Sequence, residues 1–341
     1  MTEAFIKKDY ISSSNPGSLD VAEVANAAVE VVSQAGRNWR AWVKGGLIAL
    51  SALSGGTAAT VTAVSAVVGY KAVKPQRRTP SAALDSPTLP PVQVSFQSTD
   101  GLTLNGYFYG NLAAREAIII CHGFHGAAHD MHEATVSVQA AGYNALTFDF
   151  RSCGSSGGKH TSVGFWEVQD LIGAVNYLKT RPEIDPERIG VYGVSMGGST
   201  AIMAAERCPA IKAMVTDCAF ASLDTILSVN FRHFYRLPPF LFSRTAVWWS
   251  RRFARIGGKK VEPIESLQQM SREGRAIPHM VIHGGSDRTI PCSEAKLLYE
   301  AATGPKELWI VPEADHVVGM YYDREEYVAR IARFLAPYLK N

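Results

Sequence analysis

The run Gly193-Val194-Ser195-Met196-Gly197-Gly198 constrains this chain more than any other feature. It stands between a short apolar stretch, Arg188 to Gly193, that reads as a buried strand, and Met196 to Arg207, which reads as a helix. A serine held on so sharp a strand-to-helix turn adopts a strained backbone, and Gly193 and Gly197, two residues either side, give the turn room to close. The same pattern is common by chance elsewhere. Its placement between a strand and a helix is what gives it meaning.

The surrounding pattern has the same grammar. Val92 to Ser98 and Leu104 to Tyr109 flank an Asp100-Gly101 turn and predict an antiparallel hairpin. Short apolar runs follow at Ala117 to Cys121, Asn144 to Asp149, Arg188 to Gly193, Ile211 to Asp217, His279 to His283 and Glu307 to Val311, most of them separated by helical segments. Strand and helix in alternation predict an α/β fold, a doubly wound and mostly parallel sheet covered on both faces. In such sheets ligands bind past the carboxyl ends of the strands. Hydrophobic residues at 47% and charged residues at 19% exclude disordered and fibrous classes. Lys and Arg exceed Asp and Glu by 34 to 31, too little for a nucleic-acid binder. The five cysteines, Cys121, Cys153, Cys208, Cys218 and Cys292, are odd in number and far apart, so neither a disulfide framework nor a zinc ribbon is expected.

A serine needs a base, and the base needs an orienting carboxylate. Gly284-Gly285-Ser286-Asp287 follows the predicted strand at His279, and Glu313-Ala314-Asp315-His316 follows the one at Glu307. The order Ser195, Asp287, His316 places nucleophile, acid and base on one edge of the sheet. Asp217, which ends the preceding strand, is a rival for the acid, whereas Asp149 and Asp315 read as loop-fixing residues. The developing oxyanion needs backbone donors, and the amides of Phe124, in Cys121-His122-Gly123-Phe124, and of Met196 are placed to supply them. His125, His129 and His132 fall at the i, i+4, i+7 spacing of one helical face, a geometry that can hold zinc. The plainer reading has them line the mouth of the site, and no metal or dissociable cofactor is expected. Cys153 reads as a structural thiol.

From residue 92 to 341 the chain resembles the α/β-hydrolases, specifically the membrane-anchored Bem46-like and prolyl-oligopeptidase-like serine hydrolases. The resemblance rests on His122-Gly123-Phe124, on Asp149-Phe150-Arg151-Ser152-Cys153-Gly154-Ser155-Ser156-Gly157, on the turn at Ser195, and on the Gly284 to Pro291 and Asp315-His316 loops. It implies acyl transfer through a Ser195 acyl-enzyme. Where the family usually has glycine after the arginine of the second motif, this chain has Ser152, which puts the local loop shape in question.

Ahead of that domain, residues 45–70 carry no charge, and 26 residues of helix are long enough to cross a bilayer. Trp39, Trp42, Arg37, Arg40 and Lys44 precede the run, and Tyr70, Lys71, Lys74, Arg77 and Arg78 follow it, an aromatic and basic belt at both ends. The expectation is a single-pass membrane protein with residues 1–44 as an amphipathic segment, 45–70 as the span and 71–91 as a proline-rich basic tether. The slight excess of basic residues after the span leans towards a cytoplasmic catalytic domain. Small residues four apart, Ser51, Gly55, Ala59 and Ala63, make a face on which two such helices can pair into a homo-oligomer. The alternative is a small-residue helix packed on the catalytic domain.

An insertion at about 222–276 is expected to cap the site. From Ser222 to Lys260 it interleaves Arg232, Arg236, Arg244, Arg251, Arg252, Arg255, Lys259 and Lys260 with Phe231, Phe234, Tyr235, Phe240, Phe242, Trp248, Trp249 and Phe253, as an interfacial helix on anionic lipid would. The alternative packs the aromatics on the core and leaves the arginines solvated. The sequence thus predicts a serine hydrolase of an acyl ester or thioester with lipid contact through the span and the cap. A serine peptidase is the first alternative, and a non-catalytic membrane-tethered scaffold the second.

Overall fold

The structure is a computed structural model that describes residues 56–75, 77–78, 86, 89–227, 236 and 238–340. Eight strands form one sheet: β1 (Val92–Gln97), β2 (Thr103–Tyr109), β3 (Ala117–Cys121), β4 (Asn144–Phe148), β5 (Ile189–Val194), β6 (Ile211–Asp217), β7 (His279–Gly284) and β8 (Lys306–Val311). Their order is β1-β2-β4-β3-β5-β6-β7-β8. The hairpin β1–β2 and the β2–β4 pair are antiparallel, and every other pair is parallel. The predicted doubly wound sheet is therefore what forms, each strand within a residue or two of its expected place. β3, β4, β5 and β7 are buried at every position, as strands covered on both faces must be.

The helices that accompany the sheet include α1 (Gly56–Val73), α2 (His132–Ala140), α3 (Glu167–Lys179), α4 (Met196–Arg207), α5 (Pro239–Phe253), α6 (Pro263–Arg272), α7 (Cys292–Ala301) and α8 (Arg324–Leu339). On one face the apolar side chains of α3, α4, α6 and α7 share a core with the sheet, including Leu171, Ile202, Leu267 and Leu298. On the other face α2 and α8 supply Val138, Tyr327, Ile331 and Leu335. Each such side chain contributes roughly 1.5–3 kcal/mol by leaving water. The second half of the insertion between β6 and β7 is thus α6, part of the helical layer, with Ser266 bonded to Glu206 of α4.

The chain divides into two compact units, residues 1–64 and 65–341. In the first, the described residues form the opening turns of α1 and Thr62 Oγ1 donates to the Ala58 carbonyl. In the second, the end of α1 meets α5: Ser65 Oγ lies 2.7 Å from Thr245 Oγ1, and the Tyr70 ring is edge-on to Phe253 at 5.6 Å. Helix persists to Val73, three residues into the expected tether, and Arg77 beyond it donates to the carbonyls of Gly154, Ser156 and Gly158. The span expected over 45–70 begins outside the described residues, as does the whole amphipathic segment 1–44. Among the described residues no helix is long and apolar enough to cross a membrane.

Candidate active site

Ser195 sits at φ +51°, ψ −120°, a left-handed conformation that only a tightly packed turn can enforce on a non-glycine residue. The flanking glycines show why. A Cβ on Gly193 would lie 2.5 Å from the backbone of Gly197, and one on Gly197 would lie 2.5 Å from the Cys121 carbonyl. The turn is also pinned from β6, since the Ser195 amide donates to the Asp217 carbonyl at 2.7 Å.

His316 Nε2 lies 3.0 Å from Ser195 Oγ, and His316 Nδ1 lies 2.7 Å from Asp287 Oδ2. A carboxylate only accepts, so Nδ1 carries the hydrogen and Nε2 is free to accept the serine proton. The structure thus brings together Ser195, Asp287 and His316 from three loops far apart in the chain. Asp287 is held on both oxygens: Oδ1 accepts the Thr289 and Ile290 amides, each at 2.8 Å. Burial alone would raise its carboxyl, but the His316 bond and charge, with those amides, hold it below the ordinary carboxylate range. A second imidazole the sequence did not single out, His283 at the end of β7, is fully buried, with Nε2 3.4 Å from Asp287 Oδ2 and 2.9 Å from the Ile290 carbonyl. The acid and base loops are fastened to each other by Asp315, whose Oδ1 accepts the amides of Arg288 and His316.

Asp217 is elsewhere engaged. Its carboxylate accepts from Tyr327 Oη at 2.6 Å, and Tyr192 Oη stands 3.1 Å from the same hydroxyl. Burial pushes the Asp217 carboxyl up, against the Tyr327 and Cys218 hydrogen bonds. Asp149 does fix the following turn, as its spacing suggests: Oδ1 accepts the Ala128 amide and Oδ2 the Ser155 amide.

The loop after β3 runs beside the serine, for a Cβ on Gly123 would lie 3.3 Å from that of Ser195. Gly123, next to Phe124 in the chain, therefore stands against the nucleophile, and Met196 follows it directly as the first residue of α4. What holds the loop is His122. It is fully buried, its Nδ1 donates to the Gly123 carbonyl at 2.7 Å, and its Nε2 accepts the Phe150 amide at 3.0 Å. Burial lowers its pKa, in keeping with a neutral ring that both donates and accepts.

The helical face expected for His125, His129 and His132 does not form. His125 lies in a turn at φ +61°, His129 in a 3₁₀ segment (Ala128–Met131), and His132 opens α2. Each has its own surroundings: the Phe124 ring at 3.9 Å, Asp130 at 3.3 Å, and Tyr109 Oη at 2.9 Å. The intended spacing fails because the turn and the tighter 3₁₀ segment put the three residues on different paths. Ser152, where glycine was expected, takes φ +66°, the conformation glycine would take freely, and its buried hydroxyl has no hydrogen-bond partner.

In the segment expected to cap the site the aromatics divide. Trp249 stacks on Phe253 at 5.3 Å and Phe242 is buried, while Phe240 and Trp248 stay 82% and 58% exposed. Phe231, Phe234, Tyr235 and Arg232 lie outside the described residues.

The sequence pattern of the prolyl oligopeptidase family matches residues 130–341, from the segment before α2 through the serine, aspartate and histidine loops. The chain belongs to this family. YqkD of Bacillus subtilis (strain 168), an uncharacterized protein, is 31% identical over 240 residues, 70% of this chain and 77% of that one. The thiohydrolase apmlB of Arthrinium phaeospermum is 37% identical over 129 residues, which make up 37% of this chain and 42% of that protein. The esterase Pf2001 of Pyrococcus furiosus has the same fold, with a TM-score of 0.66 at 29% identity over 78% of this chain and 98% of that one. With the fold and the family in agreement, this is a serine hydrolase of α/β-hydrolase fold.

Proposed function

We propose that this hydrolase cleaves a carboxylic ester or thioester through a Ser195 acyl-enzyme. The observation that carries the proposal is the unbroken line from Ser195 Oγ through His316 to Asp287, at 3.0 and 2.7 Å. His316 takes the serine proton as Oγ attacks the acyl carbon, and Asp287 stabilises the imidazolium that forms. The Phe124 and Met196 amides receive the oxyanion. His316 then returns the proton to the departing alkoxide or thiolate, and a water activated by the same ring releases the acid. Similarity to an esterase along nearly its full length, and to a thiohydrolase over part of its length, favours these leaving groups over an amine.

The substrate meets the enzyme at a lipid surface in this reading. The outer face of α5 presents Phe240, Leu241, Arg244, Trp248 and Arg252, all exposed and without an acidic residue among them. Aromatic and aliphatic side chains flanked by arginine suit an anionic bilayer interface, and the span proposed over residues 45–70 would hold the domain there.

A panel of short- and long-chain acyl esters, acyl thioesters and N-blocked peptides, run with Ser195→Ala as the blank, tests the reading. Ester or thioester turnover with peptides untouched is the expected result. Turnover of peptides alone would replace it with the peptidase alternative.

A further inference from the structure

Directly beneath the base lies a thiol that the acyl-transfer scheme does not use. Cys218 follows β6, is almost fully buried, and stands at φ +53°. Its Sγ accepts the Val317 amide at 3.3 Å, and Val317 itself is held at φ +59°, a costly conformation for a β-branched residue. The Cys218 amide in turn donates to the Ile282 carbonyl of β7 at 2.9 Å. Two strained residues thus fix a sulfur between the ends of β6 and β7, against the loop that carries His316. One ligand atom each from Cys218, Asp287 and His316 lies within 4.8 Å of the others.

We propose that Cys218, Asp287 and His316 form a site for a thiophilic divalent cation such as Zn²⁺ or Cd²⁺, and that its occupation switches the hydrolase off. Sulfur, imidazole nitrogen and carboxylate oxygen are the donors such ions take, at about 2.0–2.3 Å in tetrahedral geometry, so the three need to shift by on the order of 1 Å to close on one ion. The Val317 amide already points at the sulfur, and N–H donors of this kind orient a metal-bound ligand. The proton balance is simple. The Cys218 thiol releases its proton to water, and the His316 hydrogen moves from Nδ1, which turns to the metal, to Nε2. The Cys218 thiolate, the Asp287 carboxylate and the dication then sum to zero charge, which a buried site can tolerate, and the Asp217 carboxyl that loses the thiol as a donor keeps the Tyr327 hydroxyl. The His316 side chain, 23% exposed, is the part of the site that reaches solvent.

The consequence for turnover rests on His316 being the base, as proposed above; binding does not. With hydrogen on Nε2, the ring donates to Ser195 Oγ and cannot take its proton. A soft cation therefore competes directly with the proton shuttle.

The test uses the purified full chain. Zn²⁺ is expected to abolish ester or thioester turnover in wild type and in Cys292→Ser, which removes the half-buried cysteine outside the site, and a chelator is expected to restore it. Cys218→Ser is expected to turn over substrate while losing sensitivity to Zn²⁺. In parallel, Cd²⁺ added to wild type or Cys292→Ser is expected to give the ultraviolet thiolate-to-cadmium charge-transfer band at one ion per chain, absent from Cys218→Ala. That second readout needs no substrate and stands if the enzyme reading fails or if a Cys218 variant loses activity for other reasons. Turnover that withstands Zn²⁺ in wild type, equal inhibition of Cys218→Ser, or absence of the cadmium band from wild type would each overturn the proposal.

Discussion

Two aspartates end neighbouring strand regions, and the contrast between them shows how the fold assigns a role. Asp217 closes β6 and Asp287 follows β7 by three residues, and both lie near the serine turn. Asp217 is locked to Tyr327 Oη at 2.6 Å, on the face of the sheet that α8 covers. Asp287 is carried past the sheet edge by a Gly284-Gly285 turn, so that Oδ2 meets His316 at 2.7 Å. Side-chain chemistry is identical at the two positions. The two differ in the length of loop between strand end and carboxylate, and in the tyrosine that already occupies one of them.

The largest effect is expected for Asp287→Asn, which removes the acceptor that fixes the His316 tautomer: kcat should fall roughly 10³–10⁴-fold with the fold intact by circular dichroism. Asp217→Asn keeps an acceptor for Tyr327 and leaves the His316 bond alone, so kcat should remain near wild type. Were Asp217→Asn the more damaging of the two, the acid would have been assigned to the wrong strand. Tyr327→Phe strips the buried Asp217 carboxyl of its Tyr327 donor, leaving Cys218, and should cost about 1–3 kcal/mol of unfolding free energy, read by urea denaturation, with little change in kcat.

The smallest effect separates the two regions by pH. Burial lowers the pKa of His122, of His125 to about 4, aided by Arg78, and of His279 to about 3, aided by Lys306, from an ordinary 6.5. The unfolded chain therefore binds protons that the folded chain refuses. The stability these rings confer is complete above about pH 6.5 and is lost as pH falls towards 4 and then 3. The melting temperature should accordingly begin to drop below pH 6.5, and His125→Gln should soften the upper part of that slope.

The parallel part of the sheet was legible in the sequence because strands such as β3, β4, β5 and β7 are buried at every position and so read as apolar runs, and the β1–β2 hairpin was legible from its Asp100-Gly101 turn. Ser195, Asp287 and His316 were legible for a related reason: each follows such a run, and strand ends are where a parallel sheet exposes its loops. His122 was not, since a histidine after a strand looks the same whether it lines a pocket or bridges the Gly123 carbonyl and the Phe150 amide. The predicted face of His125, His129 and His132 failed because i, i+4 spacing has meaning only if the backbone is already helical. Cys218 carried no signal at all. Its place under the base depends on a register between β6 and β7 and on the strained turn at Val317, neither of which a single chain's spacing encodes. Trp248 and Trp249 are adjacent and chemically equal, and only the packing of α5 sends the first to solvent and the second onto Phe253.

Labelling with a fluorophosphonate tests the central claim most directly, because the probe reports an activated serine without assuming a substrate. The account predicts stoichiometric labelling of wild type, none of Ser195→Ala or His316→Ala, slow labelling of Asp287→Asn and near-normal labelling of Asp217→Asn. A well-folded wild-type protein that takes up no probe, or label that persists in Ser195→Ala, would contradict it.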